Sequence, residues 1–546
     1  MGKSIFDTLT PEDKEYLAHI YYDGGISHKK KMELLSKKYD VAPRTIRGWW
    51  KDKLNLSERH SKVPKQLLNA YNFKIHKDTK VLLVTGAQNK SSINLDGLDN
   101  MKAYANLLTE YGLKTQIVVM PSRYRNPTSQ IENEKLIREE WWRDEVLDYL
   151  CYGKFTFGDT LLSANSRIRP TAKEPFSGYE LLASDKHLIL PHPKVHFKTL
   201  PRFKNDPLRT MLTTGFITHE NYSDSKSGEI AHENHSFGFV VVELKEKNKC
   251  FIPRNVKMSS DGSFYDLCFS VKNGKVNRVK NVEGFVWGDI HSRVIDETIF
   301  GRTLGLVNVL KPKKQVLHDV FDGSTVSPHE TKDMFIQRQK ILKNQYLIED
   351  EVEESFDIIS KIKENISDSE IYITLSNHDV FIDRFINNEN WKKDLHNSAT
   401  YLKYAYIQQT VNLEEYGNIY GYLLSNAFSD VHYVKFGESL KIGAYECGSH
   451  GDYGANGAKG SYKTFSRLNT KMIHGHTHSP VIHNGVTVVG VTCLLHQYYN
   501  KRGISSWAHA HSIIHNKNKN QLVVFDDDNE ISNIISFTNE ENSKDK

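Results

Sequence analysis

A chain of 546 residues is too long for one hydrophobic core and predicts two to four domains. Its hydrophobic fraction of 38% and charged fraction of 25% are those of a soluble globular protein, and a net charge of +5 identifies a polyanionic partner only if the charge is locally concentrated. No apolar run of about 18 residues is present to span a membrane, the first residues lack a signal-peptide h-region, and five scattered cysteines without a CxxC pair point to a reducing, cytoplasmic setting.

Residues 1–60 read as a small helical domain. Thr10-Pro11-Glu12-Asp13 is a helix start, with Thr10 as N-cap, Pro11 in the first turn and Asp13 three residues on. Gly24-Gly25 closes that helix, a second helix runs from Lys29 to Tyr39, and a third from Pro43 to Lys53. Leu34, Leu35, Val41, Ile46 and Trp49 or Trp50 would form the core, leaving Arg44, Thr45, Arg47 and Lys51 on the outside. The passage Met32 to Trp50 resembles helix-turn-helix modules, which implies DNA contact through Arg44, Arg47 and Lys51; a basic helical pair used for protein contacts is the alternative.

Residues 61–78 read as a linker, and 79–280 as an α/β accessory domain. Val81-Leu82-Leu83-Val84 is a buried strand, Asp99 to Tyr111 an amphipathic helix closed by Gly112, and Gln116 to Met120 the next strand, parallel to the first. Thr85-Gly86-Ala87-Gln88 is not a GxGxxG fingerprint, so no dinucleotide site is expected. Phe239 to Leu244 carries a further strand signal, and His232-Glu233-Asn234-His235 lacks HExxH spacing and reads as a surface loop. The acidic segment 526–546 is expected to be a flexible tail.

Between 281 and 525 the pattern changes again. Five short segments place metal-type side chains behind apolar runs: Gly288-Asp289-Ile290-His291, His318-Asp319-Val320-Phe321-Asp322, Ser376-Asn377-His378-Asp379, Gly448-Ser449-His450-Gly451 and His474-Gly475-His476-Thr477-His478. In an α/β fold the C-terminal ends of strands converge on one edge, so loops distant in sequence can surround one site. Asp, Asn and His offer oxygen and imidazole donors without sulfur, a set suited to manganese, iron or zinc. Two cations about 3.5–4 Å apart can clamp a phosphoryl group and activate water. Any single pair among 25 histidines is weak; five segments in order are specific.

In order and character these segments resemble the DxH, GDxxD, GNHD, lone His and GHTH signature of calcineurin-like metallophosphoesterases. The resemblance implies a β-sandwich flanked by helices over 281–525. It also implies two divalent metal ions, Mn2+ first, with Mg2+, Fe2+ and Zn2+ as alternatives. Asp289, His291 and His478 would hold one metal, and Asn377, His450 and His476 the other, with Asp319 bridging. His378 would protonate the leaving oxygen, oriented by Asp379. His432 is the rival to His450. His318 and Ser376 stand where the family has glycine.

Gly323-Ser324 after the second motif and Asp379 after the third depart from phosphoprotein phosphatases. Asn-His-Asp with Gly-His-Thr-His is the form of DNA-repair nucleases and cyclic-nucleotide phosphodiesterases. A helix-turn-helix-like module in cis favours a polymer. Lys501 and Arg502 beside Tyr498-Tyr499 suit a nucleic-acid strand. The layout as a whole resembles pre-early, host-DNA-degrading DNases of virulent tailed coliphages, which implies a hydrolase with DNA as partner; homo-oligomerisation is left open. The competing expectations are a small-molecule or cyclic-nucleotide phosphodiesterase, and a DNA-binding regulator with a vestigial metal site.

Overall fold

In the computed structural model, which describes residues 5–22, 28–54, 70, 73–124 and 142–535 apart from 165, 329, 389, 469, 498, 499, 501 and 517–518, the chain is a mixed α/β protein. The first helix, Pro11–Tyr22, begins as expected. The Asp13 amide donates to Thr10 Oγ1 at 3.1 Å, and the Thr10 hydroxyl donates to the Asp13 carboxylate at 2.9 Å. Two more helices follow, His28–Tyr39 and Pro43–Gly48, and the last widens into a π-helical turn at Trp49–Lys53. Both tryptophans are buried with Phe6, Leu17, Ile20, Leu35 and Ile46, and Trp50 Nε1 donates to the Leu17 carbonyl. Arg44 and Arg47 are exposed; the side chain of Lys51 lies outside the described residues.

From 73 onward the chain builds four sheets among the described residues. Val81–Gln88 pairs in parallel with Thr115–Ser122, the crossover being the helix Leu95–Glu110, and antiparallel with Gly238–Glu243. Gly112, at φ +79°, turns the chain out of that helix. The expected linker ends early: Ala70 is buried, and Phe73 and Ile75 pack on the adjoining core, because this apolar segment covers sheet surface. His232 closes a helix, Lys226–Glu233, rather than a loop, since Ser225 caps it. His235 is held by the Tyr222 hydroxyl at 2.7 Å.

Two larger sheets make the centre. The six-stranded one runs Val431–Val434, Glu370–Thr374, Lys314–Leu317, Gly284–Val286, Ala510–His515, Lys519–Val524, with its first four strands parallel. The ten-stranded one takes five strands from residues 441–488 and five from 154–213, joined where Val481–His483 meets Phe197–Thr199. A boundary at 281 therefore marks a change of motif within a shared sheet. Val286, Val316 and Ile514 of one sheet pack with Ile442, Tyr445 and Ile473 of the other in a common apolar layer. That layer fixes the two sets of strand ends relative to each other.

The acidic tail corrects expectation as well. Asp526, Asp528 and Glu530 gather around Lys245 at 2.7–2.9 Å, Ser532 and Asn533 donate to Glu243, and Ile531 and Ile534 are buried. Two isoleucines among the acids supply the apolar area that composition alone hides; residues 536–546 lie outside the described residues. Ile534→Ala removes a fully buried side chain, so it should cost about 2–5 kcal/mol, read as a lower urea midpoint. An unchanged midpoint would show the tail to be dispensable.

Candidate metal centre

Asp289, Asp319 and Asn377 each follow the C-terminal end of a parallel strand of the six-stranded sheet. Strand pairing continues into the loops: Ile290 and His291 donate their amides to the carbonyls of His318 and Asp319 at 3.0 and 2.7 Å. The first two motifs are thus in register by backbone alone. On the other sheet the Gly475 amide donates to the His450 carbonyl at 3.0 Å, which registers the last two. The His476 amide then donates to Asp289 Oδ2 at 2.8 Å and joins the two groups.

Four expected ligands, His291, Asp319, His476 and His478, sit at φ between 45° and 72°. Non-glycine residues rarely adopt this left-handed region, and such strain is held where the surrounding structure imposes it. Two glycines of the ligand loops admit no side chain. A Cβ on Gly475 would lie 2.0 Å from Asp289 Oδ1, and one on Gly451 would lie 2.3 Å from His474 Nδ1.

Asp289, His291, Asp319 and His478 each offer a ligand atom, all within 4.8 Å of one another and all buried. His478 Nε2 lies 3.0 Å from Asp289 Oδ2 and 3.3 Å from His291 Nε2. Asp319 Oδ2 lies 3.6 Å from His291 Nε2 on one side and 3.1 Å from His450 Nε2 on the other. The His450 and His476 rings are 5.2 Å apart. Oδ1 of Asp289, Asp319 and Asn377, and Nδ1 of His478 and His450, are buried without a hydrogen-bond partner. Buried polar atoms are rarely left so. This donor set fits divalent cations and could bind them. His432, the rival to His450, is on an outer strand stacked on Tyr372 at 4.8 Å.

The field of the site favours positive charge. Burial opposes protonation of His450, yet Asp319 beside it pushes its pKa up to about 10. Burial likewise opposes protonation of His291, but its hydrogen bond with Asp322 and the nearby Asp319 raise it to about 9. Burial takes His476 down to about 4. Asp379, buried and facing Asp319, is raised to about 7.

The support of His378 differs from expectation. Its Nδ1 donates to the Asp322 backbone carbonyl at 2.5 Å, whereas the Asp379 carboxylate accepts from the Ser376 amide and the Tyr433 hydroxyl, tying down its own loop. Asp379 therefore shapes the turn, and Ser376 Oγ, where a glycine is usual, accepts the His378 amide at 3.1 Å. His318 is buried with Nδ1 on the Thr374 hydroxyl at 2.7 Å. Sequence reasoning gave no role to Asp322, which accepts from His291 Nδ1 at 3.0 Å, or to Trp507, whose ring is 4.1 Å from that of His478. The second acid of DxxD signalled the former; nothing signalled the latter.

Outward of these groups lies a cleft of about 600 Å³ lined by Asp319, Asn377, His378, His476, His478 and Trp507. Its lining also includes Gln339 and Lys340 from the helix Met334–Leu342 and Lys343 at its C-cap. Arg502 is exposed and is not among the residues lining the cleft; Lys501 lies outside the described residues.

Protein A1 of Escherichia phage T5 is similar to this chain, 28% identical over 469 residues that cover 82% of each protein. The chain therefore has a bacteriophage relative. No family model matches it, and no solved structure does.

A cation must displace protons from His291 and His450, whose pKa values of about 9 and 10 keep them charged near neutrality. Manganese titrated calorimetrically should bind more tightly as pH rises from about 6.5 to 8.5, with proton release visible across buffers. Affinity independent of pH would contradict this field. Gly475→Ala should abolish binding while leaving the circular dichroism spectrum native; retained binding would mean that the loop is not confined.

Proposed function

We propose that the protein is a calcineurin-like, metal-dependent phosphodiesterase that hydrolyses DNA, and that the two facing sheets are the sandwich of that family. The observation that supports this reading is a buried cluster of Asp289, His291, Asp319 and His478, with His450 on Asp319 and with Asn377 and His476 lining the adjoining cleft. Asp289, His291 and His478 would hold one cation, and Asn377, His450 and His476 a second. Asp319 would serve both, as its closeness to His291 and His450 suits it to do. Divalent cations bound there supply Lewis acidity toward a phosphoryl oxygen, and the sulfur-free donors suit manganese before magnesium, iron or zinc.

The protein's own part is to orient. Asp322 turns His291 through Nδ1, so that Nε2 faces inward. The Asp322 carbonyl holds the His378 Nδ1 proton, which leaves Nε2 as the atom able to give a proton to a leaving oxygen. Trp507 packs against His478 and keeps bulk water from that side. Arg44 and Arg47, exposed on a helical module of their own, add phosphate contacts for a long substrate. The phage relative supports a bacteriophage setting; degradation of host DNA early in infection is the role we propose within it.

Plasmid and linear DNA incubated with the purified chain should be degraded with manganese and spared in EDTA. Full activity after exhaustive chelation would end the two-metal reading. His378→Ala should keep its metals and lose about 10²–10⁴-fold in turnover, the usual contribution of a leaving-group acid; loss of metal instead would make it a ligand. Turnover of bis-p-nitrophenyl phosphate without competition from DNA would transfer the assignment to a small-molecule phosphodiesterase. Deleting residues 1–60 should spare that small ester but weaken binding of long DNA. Its salt dependence should flatten too, the slope falling by roughly one for each phosphate no longer neutralised. An unchanged slope would assign the module to protein contacts.

A further inference from the structure

Far along the shared ten-stranded sheet, Phe197–Thr199 and Val481–His483 pair antiparallel, with Val481 opposite Lys198 and Ile482 opposite Phe197. The next opposed positions are His196 and His483, whose rings lie 4.6 Å apart at an interplanar angle of 31°. Both are buried, at 2% and 7% exposure. Glu174 reaches in from a preceding loop and sets Oε1 3.1 Å from His483 Nε2. One ligand atom from each of the three lies within 4.8 Å of the others. Asn484, held at φ 43°, places its carboxamide oxygen 3.1 Å from His196 Nε2. His483 Nδ1 is buried with no hydrogen-bond partner. Phe176 and Tyr462 wall the cluster, at 6.0 Å from His196 and 5.3 Å from His483.

We propose that Glu174, His196 and His483, with the Asn484 carboxamide as an additional oxygen, form a structural divalent-metal site, zinc being the best-suited ion. Two imidazoles and two oxygens are a four-donor set without sulfur, which zinc accepts in tetrahedral form. Two buried imidazoles 4.6 Å apart beside a carboxylate, with one ring nitrogen left unpaired, form a group that a bound cation would draw together. A cation here would clasp the seam at which the strands of residues 154–213 join those of 441–488. It shares no residue with the centre at Asp289 and Asp319, so the inference is independent of the nuclease reading.

The test is metal content of the full chain, stripped by chelation and dialysed against limiting zinc, for the wild type, Glu174→Gln and His483→Gln. The wild type should retain one zinc per chain more than either variant. Its melting temperature should rise further on zinc addition than theirs. Glu174 is exposed, and its glutamine variant is isosteric, so that protein remains informative even if His483→Gln does not fold. Equal zinc content and equal thermal shifts in the wild type and Glu174→Gln would overturn the site and leave an ordinary hydrogen-bonded histidine pair.

Discussion

Asp289 and Asp319 are two carboxylates taken almost entirely out of water at the meeting point of two sheets, at 0% and 2% exposure. Burying a charge costs several kcal/mol unless something of opposite sign lies close. The protein answers with imidazoles: His478 on Asp289, and His450 and His291 on either side of Asp319. Both carboxyl groups are held below the usual carboxylate range, since these histidines outweigh the burial that would raise them. Much of the surrounding architecture can be understood as what is needed to keep those groups in place: the registered loops, the left-handed turns and the glycines that admit no Cβ.

A further layer holds the loops that hold the ligands. Glu351, from the helix Ile348–Asn365, accepts the Ser324 and Thr325 amides at 2.7 and 2.9 Å, just beyond Asp322. Arg293, just past His291, bonds the Thr325 hydroxyl and Glu354. Lys340 donates to the Ser324 carbonyl and pairs with Glu330. Polar partners that are fully satisfied rigidify a site, whereas half-satisfied ones cost stability. Here the inner ring of donors keeps unsatisfied atoms, whereas Glu351, Arg293 and Lys340 outside it are hydrogen-bonded or ion-paired. Outer hydrogen bonds of this kind orient the ligands of a metal site, and inward donors without partners are what a cation would satisfy.

The N-terminal helices stand apart in character. Among the described residues their apolar side chains form a cluster of their own, with Trp50 bonded to Leu17 and Tyr39 to Asp13. A module of this kind, tethered in cis to a binding site, adds affinity through effective concentration.

What the chain by itself determined is local. Capping at Thr10, the strand of Val81 to Val84, the crossover helix and the five donor-bearing loops were legible because each depends on residues a few positions apart. The donor types could be read because Asp, Asn and His carry their chemistry with them. What only the tertiary structure decided is which groups meet and what holds them. Asp322 rather than Asp379 supports His378 through its carbonyl, a backbone atom present in every residue and so without a sequence signal. Trp507 reaches His478 from a separate loop, well beyond the range of any local pattern. Glu174, His196 and His483 come together only because one sheet draws strands from both halves of the molecule. Strand pairing over hundreds of residues follows from the packing of apolar layers against each other, and no local pattern of side chains records it.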